Sequence, residues 1–258
     1  MDLAKYCIDK TYEIIGKENI TEIIEPSAGN GSFSNQIENC TAYDIEPEGE
    51  YIIKQNFLQL ELEYKKNRLI IGNPPYGKYM KLAEQFYKKS IKLGDYISFI
   101  LPISQFNNNI KLFDFDFIYS EDLGARLYSD KKVHCCLNIY KRPIKCLNKR
   151  PNYNLKDVKL KLSATKPFPP KSVFITKDMF DYNIRICGWG ASIGKFCNYE
   201  GEYEREICIK INNDLYKNEI IELIRNAKWC DIYKMTATPR IDIFRILKYI
   251  KEQIPELS

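Results

Sequence analysis

The chain has 258 residues, 45% of them hydrophobic and 28% charged, the profile of a soluble globular protein with room for a catalytic domain and a small appendage. Its 39 Lys and Arg against 34 Asp and Glu leave a net charge of +5, which is compatible with a nucleic-acid partner without requiring one. No apolar run approaches a membrane span, the start MDLAKYCIDK lacks a signal-peptide core, and the nine cysteines form no CxxC pair, so reduced thiols in a cytoplasmic protein are expected.

The single histidine, His134, argues against histidine-rich zinc sites and against a Ser-His-Asp or Cys-His engine. No metal site is predicted.

In chain order, LAKYCIDKTYEII has helical periodicity, TEIIE is a short buried strand, and SFSNQIENC is predicted as a helix. TAYDI, YIIKQN and RLIIGN follow as strands, and KYMKLAEQFYKKSIKL is an amphipathic helix. YISFILP is a strand stopped by Pro102, with a helix expected from about Ser104 and the strands FDFIYS and VHCCLNIYK after it. Strands alternating with helices imply a mostly parallel, doubly wound α/β sheet of Rossmann-like type. From residue 143 the texture changes. Proline-rich connectors lead to the strands VKLKLS, YNIRICGWG and REICIKI and to two helices, DLYKNEIIELIRNAKW and RIDIFRILKYIKEQI. A catalytic domain over 1–142 and a small α+β appendage over 143–258 are therefore expected.

Ligands of an open α/β sheet collect beyond the carboxyl ends of its strands, and several signals fall at such ends. In EIIEPSAGNGSF an acidic residue precedes a small-residue turn with Gly29 and Gly31, where the backbone approaches a ligand and a helix N-terminus offers free N–H groups. Any tight strand-to-helix turn favours the same residues. Asp44 ends the next strand, where an acid accepts from both hydroxyls of a ribose; a surface acid would look the same. Asn56 and Phe57 suit an adenine through an amide oxygen and an apolar face, although Phe57 equally suits the core. Then comes IIGNPPYG, residues 70–77, a stiff turn bearing one amide and one aromatic ring at the end of a buried strand.

Asn-Pro-Pro-Tyr at a strand end, about fifty residues after an acidic small-residue turn, resembles the N6-adenine DNA methyltransferases, in the order cofactor motif, catalytic motif, target-recognition region. YISFILPISQF and LGARLYSDKKVHCCLNIYKR are similar to later segments of that family, so the resemblance spans roughly residues 3–142. It implies S-adenosylmethionine as cofactor, duplex DNA with an everted adenine as partner, and a possible cognate restriction nuclease. Asn73 and the Pro74 carbonyl would accept the two N–H groups of the target amine, Pro75 would stiffen the turn, and Tyr76 would stack on the base. Glu25 would face the methionine end of the cofactor, Ala28 and Gly29 would line the turn, Asp44 would hold the ribose, and Ile45, Asn56 and Phe57 would surround the adenine. Asn56 departs from the family's usual aspartate, which predicts weaker cofactor binding. The family's threonine-bearing segment normally precedes LAKYC, so an incomplete methionine pocket is also expected.

GWGASIGKF fails the Walker spacing, because Trp189 and Phe196 stand where glycine and Ser or Thr are needed. It reads as a packing turn or a DNA-facing loop that presents Lys195. TATPR reads as a helix start with Thr238 as cap and Pro239 in the first turn, and Arg240 is a candidate phosphate contact. His134 stands where an aromatic residue of the family meets the everted base; strand packing is the alternative. Competing functions are release-factor glutamine methylation, RNA adenine methylation, N4-cytosine methylation and a catalytically idle DNA-binding subunit.

Overall fold

Ile23–Ile24, Leu69–Ile71 and Phe99–Leu101 are uninterrupted apolar runs because both faces of their strands are covered. The computed structural model of the protein describes residues 2–128, 131–165, 173–234 and 239–257. It comprises two compact units, Met1–Pro151 and Asn152–Ser258.

The first unit carries a seven-stranded sheet with β1 Glu22–Glu25, β2 Cys40–Asp44, β3 Ile53–Lys54, β4 Arg68–Gly72, β5 Tyr96–Pro102, β6 Asp116–Tyr128 and β7 Lys131–Lys141. Their spatial order is β3-β2-β1-β4-β5-β7-β6. The first five are parallel, whereas β7 runs antiparallel to both β5 and β6. The sheet is therefore doubly wound and Rossmann-like, as the sequence predicts. Helix α1 (Leu3–Ile15) packs Ala4, Cys7 and Ile8 on the face that holds Leu69 and Ile71. Helix α2 (Lys81–Ser90) packs Ala83, Phe86 and Tyr87 on the face that holds Ile70. Adjacent residues of one strand thus serve opposite layers. The chain reverses its direction of travel across the sheet between β1 and β4, which opens a crevice at their carboxyl ends.

Two predicted helices are absent. SFSNQIENC contains only a 3-10 turn at Ser34–Gln36; Phe33 and Ile37 are drawn into the α1 layer, and Asn39 ends the segment with φ 59°. After β5 there is likewise only a 3-10 turn, Ile103–Gln105. Three consecutive asparagines follow it, Asn107 takes φ 46°, and Asn108 turns its side chain back to the Ser104 carbonyl, the competition that keeps such residues out of helices. The strand expected in YIIKQN shrinks to the two-residue edge strand β3. The nine cysteines are all free, and among the described residues no helix is long and apolar enough to cross a membrane.

The second unit is a three-stranded antiparallel sheet in the order β8-β10-β9, with β8 Val158–Ala164, β9 Ile184–Cys187 and β10 Arg205–Ile211. Helices α3 (Lys217–Asn226), α4 (Trp229–Tyr233) and α5 (Ile243–Gln253) supply Ile220, Ile224, Trp229, Ile246 and Ile250 to its core. Arg185 and Glu206 form a buried ion pair across β9 and β10. Gly194 has φ 80°, and a Cβ there would lie 2.2 Å from the Trp229 ring, so GWGASIGKF closes as a packed turn. The expected helix start at TATPR is corrected. Thr238 lies outside the described residues, while Arg240 bridges Trp189 in extended conformation, with Gly190 N–H on the Pro239 carbonyl and Ile241 N–H on the Gly188 carbonyl. Those pairings hold the segment straight until Asp242, after which α5 begins.

Candidate cofactor and substrate site

Glu25 ends β1 with only 2% of its surface exposed, and its Oε2 accepts the Ser34 N–H at 2.8 Å. Burial pushes its carboxyl up to about 7. The free N–H expected at a helix start thus serves a side chain of the same turn. Gly29, at φ 54°, turns its N–H onto Asp44 Oδ2 at 2.7 Å, and the Glu46 N–H reaches Asp44 Oδ1 at 2.8 Å. Asp44 at the end of β2 is thereby fixed in place, and each oxygen retains a further lone pair. Ile45 beside it is 61% exposed.

Asn56 caps a 3-10 turn, its Oδ1 accepting the Leu58 N–H at 3.0 Å. The amide oxygen assigned to an adenine is therefore engaged with its own backbone. Phe57 is buried and stacks on Phe86 with ring centroids 5.4 Å apart, so it is both core and cavity wall.

Asn73 follows β4 directly. Its backbone carbonyl accepts from Ser27 Oγ at 3.3 Å, which ties the Asn-Pro-Pro-Tyr turn to the turn after β1. Its side-chain oxygen accepts from the Tyr76 hydroxyl at 3.0 Å. Pro74 is buried, Pro75 exposed and Tyr76 half-buried. The Tyr76 hydroxyl also lies 3.6 Å from Cys135 Sγ on β7. Its carbonyl accepts the Leu82 and Ala83 N–H groups at 3.2 and 3.4 Å, so the turn caps the first turn of α2.

These elements surround a cavity of about 950 Å³, whose walls include Glu25, Ala28, Gly29, Asp44, Ile45, Asn56, Phe57, Asn73 and Pro75. Pro74, Tyr76 and His134 are not among its walls. His134 instead pairs with Asp122 in the β6–β7 hairpin, Nε2 to Oδ1 at 2.6 Å. Lys195 and Arg240 belong to the second unit; both are exposed, and Arg240 pairs with Asp242 at 3.1 Å.

The sequence reading missed the acid rim. Asp2, Glu46 and Glu48 join Glu25 and Asp44 around the cavity, and among the described residues that line it there is no Lys, Arg or His. Asp2 caps α1 by accepting the Ala4 N–H at 3.1 Å, and that helix-capping pattern at the chain start is the one signal that pointed to it. Gln55 adds an amide beside Asn56. Such a rim disfavours phosphate and favours a cationic or hydroxyl-bearing ligand.

The chain matches no protein-family model and no curated protein. Among solved structures it is similar to a Thermoplasma acidophilum protein at 16% identity, with a TM-score of 0.42 over 54% of this chain and 84% of that one. It is also similar to a magnesium protoporphyrin IX methyltransferase from Synechocystis with S-adenosylmethionine bound, at 10% identity and a TM-score of 0.41 over 54% and 79% of the two chains. A 23S rRNA methyltransferase shares 13% identity, with a TM-score of 0.41 over 56% and 70%.

Proposed function

We propose that the chain is an S-adenosylmethionine-dependent methyltransferase acting on the N6 amino group of adenine in DNA. The observation that carries this reading is the acidic cavity, with no basic side chain among the described residues that line it, abutting the Asn73 turn. A dinucleotide or nucleoside triphosphate would bring phosphates against the acidic side chains of Asp2, Asp44, Glu46 and Glu48, with the partly protonated Glu25 beneath them, whereas a sulfonium-bearing nucleoside brings a positive charge and a ribose. When bound, S-adenosylmethionine supplies an electrophilic methyl group. Glu25 stands for its ammonium end, Asp44 for its ribose hydroxyls, and Ile45, Asn56 and Phe57 for its base.

Asn73 and Pro74 then act on the substrate. An exocyclic amine is a weak nucleophile because its lone pair is delocalised into the ring. Accepting one N–H on Asn73 Oδ1 and the other on the Pro74 carbonyl draws the nitrogen toward tetrahedral geometry and frees that pair. The turn is braced in advance by Ser27 and by its bonds to α2, which is the preorganisation such a step requires. Tyr76 leaves Asn73 when the target amine arrives and offers its ring to the everted base. The second unit, through Lys195 and Arg240, is assigned to DNA contact, and a cognate nuclease would share the recognition site.

One second reading has a specific observation behind it. Tyr76 occupies the Asn73 oxygen and Leu58 occupies that of Asn56, as a catalytically idle DNA-binding subunit would tolerate. Incubation with methyl-labelled S-adenosylmethionine and duplex DNA, RNA or release factor separates the readings. N6-methyladenine in DNA is expected. Label confined to RNA or to a glutamine side chain would move the substrate assignment, and cofactor binding without transfer to any of the three would favour the idle subunit.

A further inference from the structure

The Tyr76 carbonyl is fixed on the Leu82 and Ala83 amides, so residues 77–80 form a short loop between the catalytic turn and the helix it caps. Within that loop Tyr79 (φ 57°, ψ 31°) and Met80 (φ 67°, ψ 12°) are consecutive non-glycine residues in the left-handed region. Side chains with a Cβ adopt it at a cost and keep it only where their surroundings impose it. Here the imposing contact is Met80, which is 8% exposed and packed into the core of α2 and β5. Its neighbour is turned outward in consequence, leaving Tyr79 74% exposed. A ring that buries so little gives the fold almost nothing, and glycine or asparagine would hold this backbone with less strain.

Its surroundings are basic. The Lys78 ammonium lies 5.4 Å from the centre of the Tyr79 ring, Lys111 Nζ donates to the Tyr79 carbonyl at 2.6 Å, and Lys81 is exposed. Glu84 is the acid beside them, 4.0 Å from Lys111. The cavity rim is acidic while the loop that follows the catalytic turn is basic, so phosphates are repelled from one and drawn to the other.

We infer that Tyr79, flanked by Lys78 and Lys111, is the contact that grips the target strand of DNA, its ring stacking where the everted adenine leaves a gap and the two ammonium groups meeting the adjoining phosphates. The inference rests on the DNA-methylation reading. Eversion forfeits stacking and pairing, and a ring held rigidly three residues from Tyr76 recovers part of the loss.

The test uses the full chain and a short mixed-sequence DNA duplex, with affinity followed by fluorescence anisotropy across a salt series. Tyr79→Ala weakens duplex binding about tenfold, and Tyr79→Trp restores it, because the face and not the hydroxyl is used. Lys78→Ala with Lys111→Ala lowers the salt slope by about two. Affinity for S-adenosylmethionine stays at the native level in all three variants. A Tyr79→Ala chain that binds duplex within about twofold of the native one, while the native chain still methylates DNA, overturns this inference alone. A native chain that binds RNA but not DNA, or neither, overturns the inference together with the DNA reading.

Discussion

The phenol of Tyr76 donates to the side-chain oxygen of Asn73 at 3.0 Å. In the proposed mechanism that oxygen is the acceptor for the target amine, so Tyr76 would stand in for substrate at rest, and the contact would have to break before the base is seated.

Tyr76→Phe removes the competing donor and keeps the ring. Its kcat/KM is expected within about threefold of the native value, since a net hydrogen bond is worth only about 1 kcal/mol. Tyr76→Ala removes the stacking face and should lower kcat/KM at least about tenfold. Steady-state kinetics on duplex DNA check both. Collapse of the Phe variant to the level of the Ala variant would show that the phenol, and not the face, is used.

Glu25 makes stability depend on pH in an unusual direction. Its folded carboxyl titrates at about 7 against an ordinary 4.5, mainly through burial. Between those values the folded chain keeps a proton that the unfolded chain has lost, so this residue's contribution to stability falls as pH rises through the window. Glu25→Gln, which can still accept the Ser34 N–H, should gain on the native chain as pH rises from 5 to 8, reaching about 3 kcal/mol. Urea unfolding at the two pH values measures the difference; a constant offset would contradict it.

Asn56 is expected to limit cofactor affinity. Asn56→Asp keeps a good cap for the Leu58 N–H and adds a charged acceptor at the cavity wall, so S-adenosylmethionine should bind roughly tenfold more tightly. Asn56→Ala loses the cap and should bind more weakly than the native chain. Calorimetric titration of the three proteins gives the ranking, and an Asp variant no tighter than the native chain would place the adenine elsewhere.

Much of this site was legible because it stands at strand ends. Glu25, Asp44 and Asn73 each follow a short apolar run, and the sheet brings them to one crevice by topology alone. What the residues do to each other was less visible. The bonds Asn56 to Leu58 and Tyr76 to Asn73 depend on local turns of two or three residues, where a side chain serves its own backbone or its neighbour. Glu46, Glu48 and Asp2 lay in loops and at a helix cap with no periodicity to mark them. The two helices predicted after β1 and β5 failed where asparagines, left-handed residues and the pull of Phe33 and Ile37 into the core outweighed a plausible pattern. His134, placed against the base by resemblance, has a nearer partner in Asp122.

In the second unit, Lys195 and Arg240 are exposed, and Arg240 is oriented by Asp242. Replacing both with alanine should lower duplex affinity and reduce the salt slope by about 0.9 for each phosphate no longer neutralised, with affinity for S-adenosylmethionine intact. An unchanged slope, with methylation kept at the same sites, would make them bystanders.

The most direct measurement is the yield of N6-methyladenine in nucleosides released from DNA after incubation with S-adenosylmethionine and either the native chain or Asn73→Ala. The native chain should produce it. Asn73→Ala should produce none while binding S-adenosylmethionine within a few-fold of the native affinity, because in the proposed mechanism the amide acts on the target amine and not on the methyl donor. Equal yields from the two proteins, or none from the native chain, would contradict the account.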